Sequence, residues 1–338
     1  MKPIKNLVLS GGGIKGYAYM GLIKIIEENP KLFQIKKIAA SSVGAIFAVL
    51  IALCVSYDEV YNRAIDKDLN DFQHIKLDNI LKFLERFGVD DGHLFIDFIA
   101  YFVGTKLGNT EITLLETYQK TGVELYITGT CLNTKDAVYF SHKNFPDMPL
   151  LLAVRISISI PFYFIPIYYQ NRLYVDGGVA DNFPIQLFED EMEDTLGIHL
   201  QNDREIKGHI DNLEDYAYGV YLSNNGCKTT QKSEQYKPYC IRVPLIEIGI
   251  YSKTVSTETR KEWETVTYNL LNMYLKKRQL YPPLSYKEYL HEQQSDSCDT
   301  NMDVKLLKMK REIYKELTHK IKILVDNMFD DKLKELEK

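Results

Sequence analysis

The sequence predicts an α/β fold, and three observations carry that reading. A β-rich run, Ile4-Lys5-Asn6-Leu7-Val8-Leu9-Ser10, stops at Gly11-Gly12-Gly13-Ile14-Lys15-Gly16 and gives way to a helix with apolar positions at Met20, Leu22, Ile23 and Ile26. A second strand, Ile35 to Ala40, breaks at Ser42 into an apolar helix that reaches Val55. Strand and helix patterns then keep alternating toward Leu200, the order expected of a mostly parallel sheet.

A chain of 338 residues suits one large domain or two modest ones, and 45% hydrophobic with 26% charged residues is ordinary for a globular protein. A net charge of −5 argues against a nucleic-acid surface over the whole molecule, leaving local basic patches open. The five cysteines (Cys54, Cys131, Cys227, Cys240, Cys298) are scattered and never spaced C-x-x-C, which points to a reducing compartment and no zinc site. The first strand starts at Ile4, leaving no room for a signal peptide, and the longest apolar run, Val43 to Val55, is too short to cross a bilayer. The expectation is a cytoplasmic protein whose membrane contact is peripheral.

In chain order, the first glycine loop presents free amides at the carboxyl end of its strand. Gly-x-Gly-x-x-Gly after a strand also matches a dinucleotide fingerprint. That reading asks for an acidic residue about 20 positions on; here the second strand ends in Ala40-Ser41-Ser42 and offers no carboxylate. Ser42 has small neighbours at every crowded place: Ala40 two before, Gly44 two after, then Ala45. This is what a nucleophile elbow requires, a tight strand-to-helix turn that projects the serine hydroxyl clear of the sheet, with the helix N-terminus favouring negative charge beside it. A serine N-cap before an ordinary helix would read the same way.

Helical patterns follow at Tyr57 to Phe72, Leu77 to Phe87 and His93 to Gly104, either a cap over a pocket or helices packed on one face. Glu124 to Cys131 and Asp136 to Ser141 alternate like paired strands, Leu150 to Ser159 reads as a helix, and Phe162 to Tyr169 with Arg172 to Val175 as a hairpin turned at Gln170-Asn171. A strand end then meets Asp176-Gly177-Gly178-Val179-Ala180-Asp181, and strands at Asp194 to Leu200 and Tyr239 to Pro244 enclose a helix at Asp211 to Ser223. Tyr281 to Met302 is polar and aperiodic, and reads as an exposed loop. The tail from Val304 is an amphipathic helix with ten Lys/Arg against seven Asp/Glu, suited to an anionic membrane or to docking on its own domain. The division expected is a core at 1–200 and a mainly helical extension at 201–338 packed on it.

Three pieces now stand in order at strand ends: Gly11-Gly12-Gly13-Ile14-Lys15-Gly16, Ala40-Ser41-Ser42-Val43-Gly44 and Asp176-Gly177-Gly178. Together they resemble the patatin-like phospholipases, acyl hydrolases that use a Ser-Asp dyad. The segment Ala153-Val154-Arg155-Ile156-Ser157-Ile158-Ser159-Ile160-Pro161 is similar to the one that family carries before its aspartate strand. The resemblance covers Lys5 to Ile185 well and fades beyond Leu200. It implies a three-layer α/β/α sandwich with a mostly parallel central sheet. It also implies hydrolysis of fatty-acyl esters of phospholipids or lysophospholipids, no cofactor and no metal, and it leaves open a protein activator.

Carried over by position, Ser42 matches the nucleophile, Asp176 the base, the amides of Gly11, Gly12 and Gly13 the oxyanion hole, and Lys15 that motif's basic residue; Gly16, Gly44, Gly177 and Gly178 support the turns. The chain departs from the family at Ala40, where glycine is usual, so modest extra strain is expected there. Asp181 is the second carboxylate nearby and reads as a loop hydrogen-bonder. A Ser-Asp-His hydrolase would use Ser42, Asp176 and His199 or His209; His74, His93, His142, His291 and His319 show no metal-ligand spacing. A lipid-binding module with a dead site is the alternative from a different class.

Overall fold

The computed structural model describes residues 2–64, 82–202, 219, 228–245 and 255–295. Its contacts divide the chain into two units, Met1–Pro283 and Leu284–Lys338.

The larger unit is built on one eight-stranded sheet: β1 (Ile4–Leu9), β2 (Phe33–Ser41), β3 (Glu124–Cys131), β4 (Asp136–Phe140), β5 (Ile167–Tyr169), β6 (Arg172–Asp176), β7 (Thr195–Asn202) and β8 (Cys240–Leu245). The order is β5-β6-β3-β2-β1-β7-β8, with β4 paired to β3. The pairs β3–β2, β2–β1, β1–β7 and β7–β8 are parallel; β4 and β6 run antiparallel to β3, and β5 antiparallel to β6. The central strands are covered on both faces, so β1 reads as a near-continuous apolar run instead of alternating.

The helices are α1 (Tyr19–Glu28), α2 (Val43–Ala52), α3 (Tyr57–Ala64), α4 (Phe83–Arg86), α5 (His93–Leu107), α6 (Leu114–Thr121), α7 (Leu150–Ser157), α8 (Thr257–Leu280) and, in the second unit, α9 (Tyr286–Ser295). Gly13–Ala18 and Ile185–Asp194 are 3-10 turns. Helix α2 is apolar almost all round and is buried along nearly its whole length against β1, β2, β3, α5 and α7. Leu7, Leu9, Leu196 and Ile198 join that core with α1, α2 and α7. Gly197 points the other way, where a Cβ would lie 2.6 Å from Phe183 and 2.9 Å from Ile185. The segment Ile185–Asp194 packs against β1 and β7 on that second face, so the sheet is flanked on both sides.

Helix α8 lies along α1, and the crossing is close because Gly21 sits there: a Cβ would come 2.4 Å from the Glu264 carbonyl oxygen and 2.9 Å from the Tyr268 nitrogen. Its buried positions, Trp263, Thr267, Leu271, Leu275 and Arg278, recur at four- and three-residue steps.

Several elements differ from the sequence expectation. The polar stretch Tyr281 to Met302, read as a loop, holds α9. A capping box starts it: the Ser285 hydroxyl accepts from the Glu288 N–H at 3.4 Å and the Glu288 carboxylate from the Ser285 N–H at 2.9 Å. The helix expected at Leu77 to Phe87 is, among the described residues, the single turn of α4, stopped by Phe87 in the left-handed region at φ 59°. The strand expected from Phe162 begins only at Ile167, since Phe162 is itself left-handed at φ 69°. The hairpin does turn at Gln170-Asn171, both at positive φ. Residues 65–72, the helix expected at Asp211 to Ser223 apart from Gly219, His74, His209, His319, Cys227, Cys298 and the tail from Val304 lie outside the described residues.

Candidate active site

The backbone at Ser42 is the first feature of the site. Its φ of 52° and ψ of −128° are foreign to a serine in a relaxed turn, and the residue stands between the end of β2 and the first residue of α2. Such a conformation survives only where the surroundings impose it. Gly44 is the clearest constraint, since a Cβ there would lie 2.6 Å from the Leu9 carbonyl oxygen and 2.8 Å from that of Ser10. Gly16 packs its Cα onto Val43, where a Cβ would meet Cγ2 at 2.2 Å. Ala40 is fully buried in β2 between Leu9 and Ile127, and the turn forms with its methyl group in place.

The sheet register brings Asp176 to this turn. On one edge of β3, Thr128 pairs with Tyr139 and Gly129 with Val138, both of β4. On the other edge Thr128 pairs with Ser41 of β2 and Gly129 with Asp176 of β6. Strands β2 and β6 therefore meet head to head along one edge of β3, their ends one residue (about 3.4 Å) apart. Gly177 makes the junction possible: a Cβ would lie 2.2 Å from the Thr128 carbonyl oxygen and 2.8 Å from Ser41 Oγ. Asp176 is fully buried, and its Oδ1 accepts from the Gly178 N–H at 2.7 Å. The Thr130 hydroxyl donates to the Asp176 carbonyl at 2.8 Å.

The end of α7 grips both residues. Ser157 Oγ accepts from the Ser42 N–H at 2.9 Å, and the Ser159 carbonyl accepts from the Asp176 N–H at 2.8 Å. Arg155, also buried, donates to Ser159 Oγ at 2.5 Å, and burial pulls its guanidinium down to about 10 against the opposing effect of Asp90 and Asp91. The sequence segment carrying these residues stood out, but nothing in it assigned the individual roles of Ser157 and Ser159.

The glycine loop packs against Ser42. A Cβ at Gly11 would be 2.9 Å from Ser42 Cβ. The Gly11 N–H donates to Asn182, at 3.1 Å to Oδ1 and 3.3 Å to the carbonyl, and Asn182 Nδ2 returns a bond to the Gly11 carbonyl at 3.4 Å. Among the described residues the amides of Gly12 and Gly13 have no hydrogen-bond partner. Lys15 is buried in the turn that follows, and its own amide donates to the Gly12 carbonyl at 3.2 Å. Tyr19, buried against Phe47, donates to the Ser10 carbonyl at 2.7 Å and steadies the base of the loop. Asn182 leaves no mark in the sequence, since an asparagine six positions after the aspartate carries no signal by itself.

The other candidates have different partners. Asp181 is held by Tyr139 at 2.7 Å, Gln186 at 2.5 Å and Lys232 at 2.6 Å, with the Phe183 N–H on Oδ1. His199 Nδ1 meets Ser233 Oγ at 3.0 Å with its ring near Phe183; burial, helped by Arg242, lowers its pKa to about 4. No cluster of three or more His, Cys, Asp or Glu fit for a metal occurs among the described residues, and no helix among them is long and apolar enough to cross a membrane.

The arrangement brings together groups that acyl transfer can use: a hydroxyl on a strained turn, a buried carboxylate at the end of the strand that meets that turn, and backbone donors without partners in the loop packed against it. The sequence profile of the patatin-like phospholipases matches residues 7–188, more than half of the chain. The uncharacterized protein R571 of Acanthamoeba polyphaga mimivirus is 32% identical over 255 residues, covering 72% of this chain and 84% of that protein. The probable lipid hydrolase 463L of Invertebrate iridescent virus 6 is 30% identical over 191 residues, covering 55% of this chain and 63% of that protein. The crystal structure of VipD from Legionella pneumophila has a TM-score of 0.54 at 15% identity, covering 81% of this chain and 67% of that one, a likeness of fold.

Proposed function

The chain belongs to the patatin-like phospholipase family, and from that premise we propose that it hydrolyses fatty-acyl esters of phospholipids or lysophospholipids through a Ser42 acyl-enzyme with Asp176 as general base. One observation carries the reading: β2 and β6 end head to head on the same edge of β3, with Ser42 on a left-handed turn at that junction.

The steps follow from the residues. Asp176 takes the Ser42 hydroxyl proton as Oγ attacks the ester carbonyl. The negative charge that develops on the carbonyl oxygen is met by the N–H groups of Gly12 and Gly13, donors worth roughly 3–4 kcal/mol each at comparable sites. Gly11, tied to Asn182, serves to hold that loop in place, and the Lys15 side chain is buried in the same turn. The amino end of α2 favours the same charge. Collapse expels the alcohol, which leaves with the proton held on Asp176; water then attacks the acyl-enzyme, giving its proton to Asp176, which passes it to Oγ as the acyl–Oγ bond breaks and the fatty acid departs.

No residue in this scheme is a histidine, and the partnership of His199 with Ser233 weighs against a triad. No step asks for a metal. We assign the chemistry to residues 1–200 and a supporting role to 201–338, and place the protein in the cytoplasm, meeting membranes from one side.

The test is fatty-acid release from mixed phospholipid vesicles, in chelator, by wild type, Ser42→Ala, Asp176→Asn and His199→Ala. Loss in the first two variants with activity kept in the third supports the dyad. Loss of activity in a folded His199→Ala enzyme overturns it in favour of a triad.

A further inference from the structure

Two loops bonded to each other close to the Asp176 strand hold bulky apolar side chains out in solvent. Phe87, which ends α4, is 55% exposed; Phe162, after α7, is 52% exposed; Leu84, on α4, is 86% exposed. Both phenylalanines have positive φ, a costly backbone for a bulky residue that persists only where the surroundings dictate it.

Here they do. The Val89 and Asp90 N–H groups both donate to the Tyr163 carbonyl, at 2.8 and 3.0 Å, and the Ile165 N–H donates to the Asp90 carbonyl at 2.8 Å. Gly88 lies so close to the second loop that a Cβ would be 2.5 Å from backbone atoms of Phe164 and Ile165. Arg155 bolts the two loops together, with Nε on the Asp91 carbonyl and Nη2 on the Ile165 carbonyl, each at 2.8 Å. Beneath them Ile160, Tyr163 and Phe164 form a separate apolar cluster with Val89 and Phe95. The rim adjoins the chemistry: Ser159, which Arg155 also holds, accepts from the Asp176 N–H, and the β5–β6 register continued past Ile167–Tyr174 sets residue 165 level with Asp176.

We propose that Leu84, Phe87 and Phe162 form a lipid-docking rim, whose side chains enter the boundary between headgroups and acyl chains and turn the mouth of the Ser42–Asp176 site toward the bilayer. This rests on the acyl-hydrolase reading above, because a site that draws its substrate from a bilayer must face one. Area argues for lipid over a second copy of the chain. Three such side chains supply roughly 500 Å² at most, short of the ~800 Å² per partner of a stable dimer, whereas a membrane surface asks only that apolar groups reach it.

The test is co-sedimentation with phosphatidylcholine vesicles containing phosphatidylserine, on a Ser42→Ala background so that the lipid stays intact. Removing each phenylalanine weakens partitioning at least tenfold, so Phe87→Ser with Phe162→Ser together lower it about a hundredfold. With Ser42 intact, the same double variant hydrolyses a water-soluble short-chain ester at the wild-type rate. Vesicle binding unchanged in the double variant overturns the rim, as does a dimer that falls apart in that variant while vesicle binding stays constant. A chain that binds through these residues yet hydrolyses no ester keeps the rim and removes the acyl-hydrolase reading; the reverse pattern removes only the rim. In a second probe, Phe162→Trp adds an indole at the rim, while the native Trp263 is buried. Its emission shifts to the blue and is quenched by brominated lipid; emission indifferent to vesicles overturns the proposal.

Discussion

Gly44→Ala probes the elbow at its tightest point. The added methyl would start 2.6 Å from the Leu9 carbonyl oxygen and 2.8 Å from that of Ser10, where ordinary contact begins at 3.4 Å. Relief therefore demands a shift of up to about 0.8 Å between the end of β1 and the start of α2, and both neighbours are backbone. Overpacking of this kind costs about 1–3 kcal/mol, offset in part by the up to ~1 kcal/mol that alanine gains over glycine in a helix. The larger effect falls on catalysis, because the β1 end leads directly into Gly11, Gly12 and Gly13. A displacement near 1 Å between nucleophile and oxyanion donors costs on the order of 100-fold in turnover. The assay is kcat on a soluble short-chain ester beside the urea midpoint, with Gly104→Ala in α5 as control, since a Cβ there meets only the Thr110 methyl at 3.3 Å. Wild-type turnover in Gly44→Ala would show that the serine does not depend on the close approach of β1, and would refute the reasoning.

Other predictions follow from the same contacts. Ser157→Ala strips the acceptor from the Ser42 N–H and removes the anchor that α7 gives the turn, leaving a buried donor unmet at a cost of about 1–3 kcal/mol. Turnover falls at least tenfold while Ser157→Thr restores part of it, and equal turnover in both variants contradicts the role. His199 gives the protein an acid-sensitive window. Its native pKa of about 4 lies below the unfolded value of 6.5, so the unfolded chain takes up a proton that the native fold refuses as pH falls between those values. Stability is complete above about pH 6.5 and drops by about 3 kcal/mol on the way to pH 4. Urea unfolding across that range measures the drop, and His199→Gln should flatten it. Ala40→Gly should lower stability by roughly 0.5–1 kcal/mol, the usual cost of glycine inside a strand, without raising turnover.

Much of the site was legible because glycine leaves a trace wherever backbones approach. Gly16, Gly44 and Gly177 stand where a Cβ would strike Val43, the β1 carbonyls or the Thr128 carbonyl, and those residues are short-range marks readable in the chain. Strand and helix order was readable for the same reason, through local periodicity. The grip of Ser157 and Ser159 on Ser42 and Asp176 was not, since it joins positions more than a hundred residues apart in one case and depends on the way α7 ends. Nor was the tie from Gly11 to Asn182, which divides the glycine loop into an anchored amide and two free ones. Helix α8 gave a faint signal because its buried stripe includes Thr267 and Arg278 and its closest contact is made through Gly21 on another helix. Phe87 was expected as the last residue of a helix and Phe162 as the first of a strand, and at both the tertiary bonds between the two loops prevailed.

The central claim is that Ser42 is the nucleophile and that Asp176, without a histidine, activates it. The most direct measurement is the intact mass and peptide map of the protein after brief exposure to a fluorophosphonate. One adduct is expected, on Ser42, absent from Ser42→Ala, slowed strongly in Asp176→Asn and formed at the wild-type rate in His199→Ala. An adduct on another residue, or labelling that needs His199 in a folded protein, contradicts it.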